Sequence, residues 1–168
     1  MWWSRAVTAV AVAALLCGCG FRPLYGRAEN GTQVALALSQ IHVATIPDRT
    51  GQKLRNFLLD GLNPKGQPAR PLYILHVEQK VTRTDLGIKR DETATRALLV
   101  LLARYSLVDA SGKSTLVNGT TQSTNSFNIA VSDFATLSAE NDAIERAARE
   151  VSDEIKTRLA LYFSRPRS

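Results

Sequence analysis

Apolar residues along this chain change their spacing several times, and each change marks a new element. From Ala6 to Leu16 the chain is apolar apart from Thr8. That run falls short of the ~20 residues that cross a bilayer core, and Gly18 and Gly20 end it. Residues 20–33 are rich in Gly, Pro and polar side chains and read as a tether. In Val34 to Ile46, Val34, Leu36 and Leu38 alternate, with Ile41 and Val43 following after a bulge. This predicts a strand, stopped by Pro47. Between Asp48 and Asn63 the period lengthens: Leu54, Phe57, Leu58 and Leu62 recur at three and four residues, which predicts an amphipathic helix.

Alternation returns from Pro71 to Thr84, where Tyr73, Leu75, Val77 and Val81 face one way and His76, Glu78, Lys80 and Thr82 the other. Arg83 to Glu92 reads as a charged hairpin loop containing Gly87. Thr93 to Asp109 is apolar on both faces. Ala97, Leu99, Leu101, Ala103 and Tyr105 oppose Leu98, Val100 and Leu102, between Arg96 and Arg104. Such a segment suits a central strand, or one with a face covered by another protein; a helix is the competing reading. The turn Ala110-Ser111-Gly112-Lys113 favours a strand and hairpin. Ser114 to Asn128, rich in Thr and Ser, predicts a polar edge strand. Asp133 to Phe163 predicts a long helix with Ile144, Ala148, Val151, Ile155, Leu159 and Tyr162 on one stripe, and Glu145–Arg149 and Glu154–Arg158 as i,i+4 pairs. Pro166 follows it. The order β-α-β-β-β-α predicts an α+β two-layer sandwich, with a four-stranded sheet covered on one face by two helices.

The first residues then take on a chemical meaning. Arg5, a short apolar core and small residues before a cut site describe a secretory signal. Leu16-Cys17-Gly18-Cys19 resembles the lipobox of bacterial lipoproteins, in which the final thiol carries diacylglycerol. Lipidation of Cys17 would put the bulky Leu15 and Leu16 at the cut. An ordinary signal followed by a free or disulfide-bonded Cys19 is the other alternative. Residues 1–18 are therefore expected to be a signal peptide, 19–33 a lipidated tether and 34–168 a single domain. Cleavage after 18 of the 168 residues would leave 150 and remove Trp2, Trp3 and Cys17. With Cys19 its only cysteine, the mature chain forms no internal disulfide and must fold by core burial. Losing Arg5 takes the net charge from +6 to +5. For an exported chain this basic balance points to anionic lipids or acidic glycolipids rather than nucleic acid, or is simply that of a soluble protein that happens to be basic.

Catalytic signals are few. His42 and His76 are the two histidines, both on predicted strands, and neither HExxH nor GxSxG occurs. Asp85, Asp91 and Glu92 share a loop with Lys89 and Arg90, a poor setting for a cation. No catalytic residue, metal site or cofactor is assigned. What remains is a basic cluster, Lys80, Arg83, Lys89, Arg90, Arg96 and Arg104, around one predicted hairpin. Such residues bind phosphate groups, Arg bidentately, or simply protect a strand edge.

The run Cys19-Gly20-Phe21-Arg22-Pro23-Leu24-Tyr25-Gly26 resembles the mature start of the LPS-assembly lipoprotein family LptE in its alphaproteobacterial form, typically CGF(R/Q)PLYG. Arg49 to Leu62, and Phe134-Ala135-Thr136-Leu137 with the helix after it, resemble other parts of that family. The resemblance implies the same sandwich and an outer-membrane lipoprotein facing the periplasm. It also implies a place inside the β-barrel LptD, helping to insert lipopolysaccharide into the outer leaflet. Gly20 agrees, since Asp after the lipidated Cys is the usual inner-membrane retention signal. On this reading Leu98, Val100 and Leu102 meet the barrel, the Thr/Ser strand faces a hydrated lumen, and the basic cluster contacts lipopolysaccharide phosphates. The alternative is a generic envelope lipoprotein that binds an anionic ligand without a barrel partner.

Overall fold

The computed structural model describes residues 29–88 and 94–165. Their elements are α1 (Glu29–Ser39), β1 (Ile41–Val43), α2 (Asp48–Leu62), β2 (Tyr73–Ile88), β3 (Ala94–Asp109), β4 (Thr115–Asn128) and α3 (Asp133–Ser164). The sheet order is β1-β2-β3-β4. The short β1 runs parallel to β2, while β2, β3 and β4 form an antiparallel meander. A parallel neighbour needs a crossover, and α2 lies within that connection.

The first element differs from its sequence reading. Val34 to Ile46 is not one strand: its first half belongs to α1, and only Ile41–Val43 pairs in the sheet. Val34 and Leu38, four residues apart, are both buried, while Leu36 is 60% exposed. A strand would have put all three on one face; a helix turns Leu36 away. Alternation in a short apolar run was ambiguous between the two, and Ala35, Leu36 and Ala37 are strong helix formers. Helix α1 also begins at Glu29, inside the stretch read as tether. The described residues thus contain three helices where two were expected.

One strand runs further than expected. The segment read as a loop from Arg83 onward continues β2 to Ile88, paired as far as Ile88 with Ala94. Gly87 supplies a positive φ (71°) near its end, where other residues would be strained.

Sheet parity decides what is buried. On β3, Ala97, Leu99, Leu101, Ala103, Tyr105 and Leu107 face the helices and are buried. Leu75 and Val77 on β2, with Thr121, Ser123 and Phe127 on β4, continue that surface. Helix α3 lies against it and is buried along Ala143, Ala147, Val151, Ile155 and Leu159, with Ala148, Ser152 and Ala160 beside them. Two adjacent stripes fit its position, since it packs on β3 and β4 as well as on α1 and α2. Ile144 and Tyr162, expected on the stripe, are only partly buried, and the small alanines replace them at the closest approach. Of the two expected ion pairs, Glu154–Arg158 forms at 2.6 Å. Glu145 instead reaches Lys53 of α2 at 3.7 Å, and Arg149 lies over the Phe57 ring. Both redirected contacts join α3 to α2.

Candidate functional site

The opposite face of the sheet has no helix over it among the described residues. Its centre is β3, where Arg96, Leu98, Val100, Leu102 and Arg104 share a row by the two-residue period of a strand. On one side, Lys80, Thr82 and Thr84 of β2 stand opposite Leu102, Val100 and Leu98. On the other, Gln122, Thr124 and Ser126 of β4 stand opposite the same three. An apolar column is thus flanked by hydroxyls and amides and ended by arginines. The three apolar side chains are half-buried between these flanks.

The predicted basic cluster divides between the two faces. Lys80, Arg96 and Arg104 are exposed on the open face and make no ion pair among the described residues. Glu78, the cross-strand neighbour of Arg104, is the acidic residue beside them. Arg83 points to the helix side. Its Nε donates to Asp85 at 2.8 Å, its Nη1 to Glu140 of α3 at 2.8 Å, and its guanidinium lies 5.4 Å from the Phe127 ring centroid. Its pKa is raised, first by the Asp85 hydrogen bond, so it stays charged. Arg83 therefore ties β2 to the start of α3 and is not a free phosphate ligand. Lys89 and Arg90 lie outside the described residues, as do Cys19 and the run from Cys19 to Gly26.

A second polar surface, not foreseen from the sequence, lies where β4 meets α3. Ser123 Oγ donates to Glu150 at 2.5 Å, and Asn125 Nδ2 donates to Ser123 Oγ at 2.8 Å. Arg158 bonds Glu154 and donates from Nη1 to the Thr120 carbonyl at 3.1 Å. Clefts of about 420 and 380 Å³ adjoin this edge, and Arg158 lines both. The signal for it was the Thr/Ser-rich composition of β4, but only the fold shows that α3 runs beside that strand.

The histidines do not converge with acids or nucleophiles. His76 is solvent-exposed on β2, and His42 lies on β1. Among the described residues no three His, Cys, Asp or Glu side chains come together as a metal site. None of their helices is long and apolar enough to cross a membrane.

These features define a two-layer α+β protein with an amphiphilic sheet face that no helix covers among the described residues, a fold shared with bacterial lipoproteins. A lipoprotein candidate from Caulobacter crescentus matches with a TM-score of 0.66 and 25% identity, covering 80% of this chain and 98% of that one. The rare lipoprotein B of Shewanella oneidensis shares the fold at a TM-score of 0.55 and 10% identity, over 72% of this chain and 92% of its own. An uncharacterized protein of Rickettsia prowazekii is 24% identical over 156 residues, 93% of this chain and 96% of its own. The chain belongs to the LptE lipopolysaccharide-assembly family, whose sequence profile matches residues 38–159.

Proposed function

We propose that this protein is an outer-membrane lipoprotein, anchored through a lipid on Cys19, that plugs an LptD-type β-barrel from the periplasmic side. In that position it helps the barrel assemble and assists the insertion of lipopolysaccharide into the outer leaflet. Its work is binding and positioning, without catalysis or a cofactor. Signal peptide 1–18 is removed, and the segment between Cys19 and α1 spans the distance from membrane to fold.

The observation that carries this reading is the uncovered face of β2, β3 and β4. Its apolar column of Leu98, Val100 and Leu102 suits contact with a wall or an acyl chain, and its Thr, Ser and Gln flanks suit a hydrated lumen. The three side chains are half-buried and form one contiguous apolar row on a face with no helix over it among the described residues, which suits it to an interaction. Lys80, Arg96 and Arg104, which make no ion pair among the described residues, would supply charge-assisted donors for phosphate.

The test is detergent extraction of the tagged full-length chain, followed by identification of what co-purifies. A stable complex with a large outer-membrane barrel is expected. Recovery of the free monomer alone removes the barrel reading and leaves an envelope lipoprotein that binds an anionic ligand. Cys19→Ala should abolish lipid labelling of the chain; persistent labelling would move the anchor to Cys17.

A further inference from the structure

The geometry points to β4 as the acceptor of a fifth strand, supplied by an extended segment of the barrel partner. This rests on the barrel reading given above.

The direction of the β4 backbone follows from two contacts. Ile129 N donates to Thr95 O at 3.1 Å, so odd-numbered backbone groups at this end face β3. Arg158 reaches the Thr120 carbonyl from outside the sheet, so even-numbered groups face away. The register Arg104↔Thr120 through Arg96↔Asn128 is unbroken, so the same parity holds from Thr120 to Asn128. The N–H and C=O groups of Gln122, Thr124 and Ser126 therefore point outward, beyond the last strand of the sheet among the described residues.

Proteins usually guard such an edge with Lys, Pro, inward charges or a short strand. The two long strands at the outside of this sheet differ in that respect. Beyond its short pairing with β1, β2 carries Glu78, Lys80, Arg83 and Asp85. β4 runs from Thr115 to Asn128 with no charged residue and no proline. Among the described residues, the Thr120 carbonyl is covered by Arg158, and no hydrogen bond reaches the outward backbone groups from Gln122 to Asn128.

The occupant follows from what borders the window. Thr124 and Ser126 place their side chains on the open sheet face, so an added strand would continue the surface proposed to meet the barrel. The other border is the Ser123–Glu150–Asn125 network and the cleft along α3. Both borders are polar, and suit an extended segment with short polar side chains. Backbone pairing would provide the affinity, as in other strand additions. A second copy paired through the middle of β4 would instead bring two Arg158 guanidinium groups against one edge.

Amide exchange on the full-length lipidated chain tests this, with and without the co-purified barrel. In the free chain the Gln122, Thr124 and Ser126 amides should exchange fast while those of Ser123 and Asn125 are protected. In the complex the three outward amides should slow by about tenfold or more. Thr124→Pro removes an outward N–H and no ladder bond, so the free fold should survive while the complex weakens. Thr124→Val removes the same hydroxyl but keeps the N–H, so it should weaken the complex less than Thr124→Pro does; equal weakening by the two would overturn the fifth strand. A complex that forms while the outward amides stay fast overturns the fifth strand and leaves the barrel reading standing. Failure to form any barrel complex overturns both. Protection that appears without the barrel and grows with concentration assigns the edge to a second copy and overturns the barrel segment as occupant.

Discussion

Tyr105 and Gly119 face each other across β3 and β4, and the Tyr105 ring fills the space where a side chain on residue 119 would start. A Cβ at Gly119 would lie 2.6 Å from the Tyr105 hydroxyl oxygen and 2.7 Å from Cζ. Tyr105 is 5% exposed and cannot swing into solvent without opening the core. Glycine is required here by close approach rather than by backbone angle. Gly119→Ala should cost about 1–3 kcal/mol through overpacking. Tyr105→Phe in the same chain should recover only part of that, because the ring carbon still clashes. Thermal or denaturant unfolding of the two single variants and the double variant measures the coupling; strict additivity would refute the contact.

Arg83 and the open-face cations should separate in experiment. Arg83→Gln removes two ion pairs and the Phe127 contact, which hold the start of α3 to β2. The pairs are partly exposed, so a loss of about 0.5–1.5 kcal/mol is expected, with lipopolysaccharide affinity unchanged. Replacing Lys80, Arg96 and Arg104 together by Gln should do the reverse. Stability should stay within about 0.5 kcal/mol per site, as for solvated charges, while lipopolysaccharide binding weakens. Calorimetric titration and thermal unfolding on both variants decide it. Unchanged binding in the triple variant would remove this face as the phosphate site.

The helical reading of α1 has a simple check. Leu38 is 5% exposed and Leu36 60% exposed. Leu38→Ala should cost about 2–5 kcal/mol and Leu36→Ala well under 1. Equal losses at the two positions would return the segment to a strand with one apolar face.

Asp109 sets a pH dependence. Its carboxylate accepts from Ser111 Oγ at 2.7 Å and from the Lys113 and Ser114 amides at 3.0 and 3.2 Å, closing the turn between β3 and β4. These bonds, that from Ser111 foremost, hold its pKa below the usual carboxylate value. A depressed folded pKa means the stabilisation is present above the unfolded value, about 3.9, and is lost as pH falls through the folded one. Asp109→Asn should therefore unfold at a lower temperature than the wild type at pH 7. The gap should close as the pH is taken below about 4. A gap independent of pH would show that the charge plays no part in the turn.

The fold was largely readable where the apolar spacing was long and unambiguous. β2, β3 and β4, the two later helices and the α+β arrangement follow from period and from turn chemistry at Gly112 and Pro47. The first element was not readable, because Val34 to Leu38 satisfies both a two-residue and a four-residue period. Only burial of Val34 and Leu38 against the other helices selects one. Within the candidate site, the apolar second face of β3 was visible as Leu98, Val100 and Leu102. The partition of the basic residues was visible only as an uncertain cluster.

The sequence alone determined the alternation that gives β3 two apolar faces, the polar character of β4 and the long stripe of α3. These are local properties, set by the residues' own spacing. The tertiary structure decided which face α3 covers and which stays open. It decided that Arg83 meets Glu140 while Lys80, Arg96 and Arg104 face outward, and that the uncharged β4 lies at the edge. Parity puts neighbouring residues on opposite sides of a sheet, but only packing says which side is inside. That depends on where α3 comes to rest, and no window of sequence contains it.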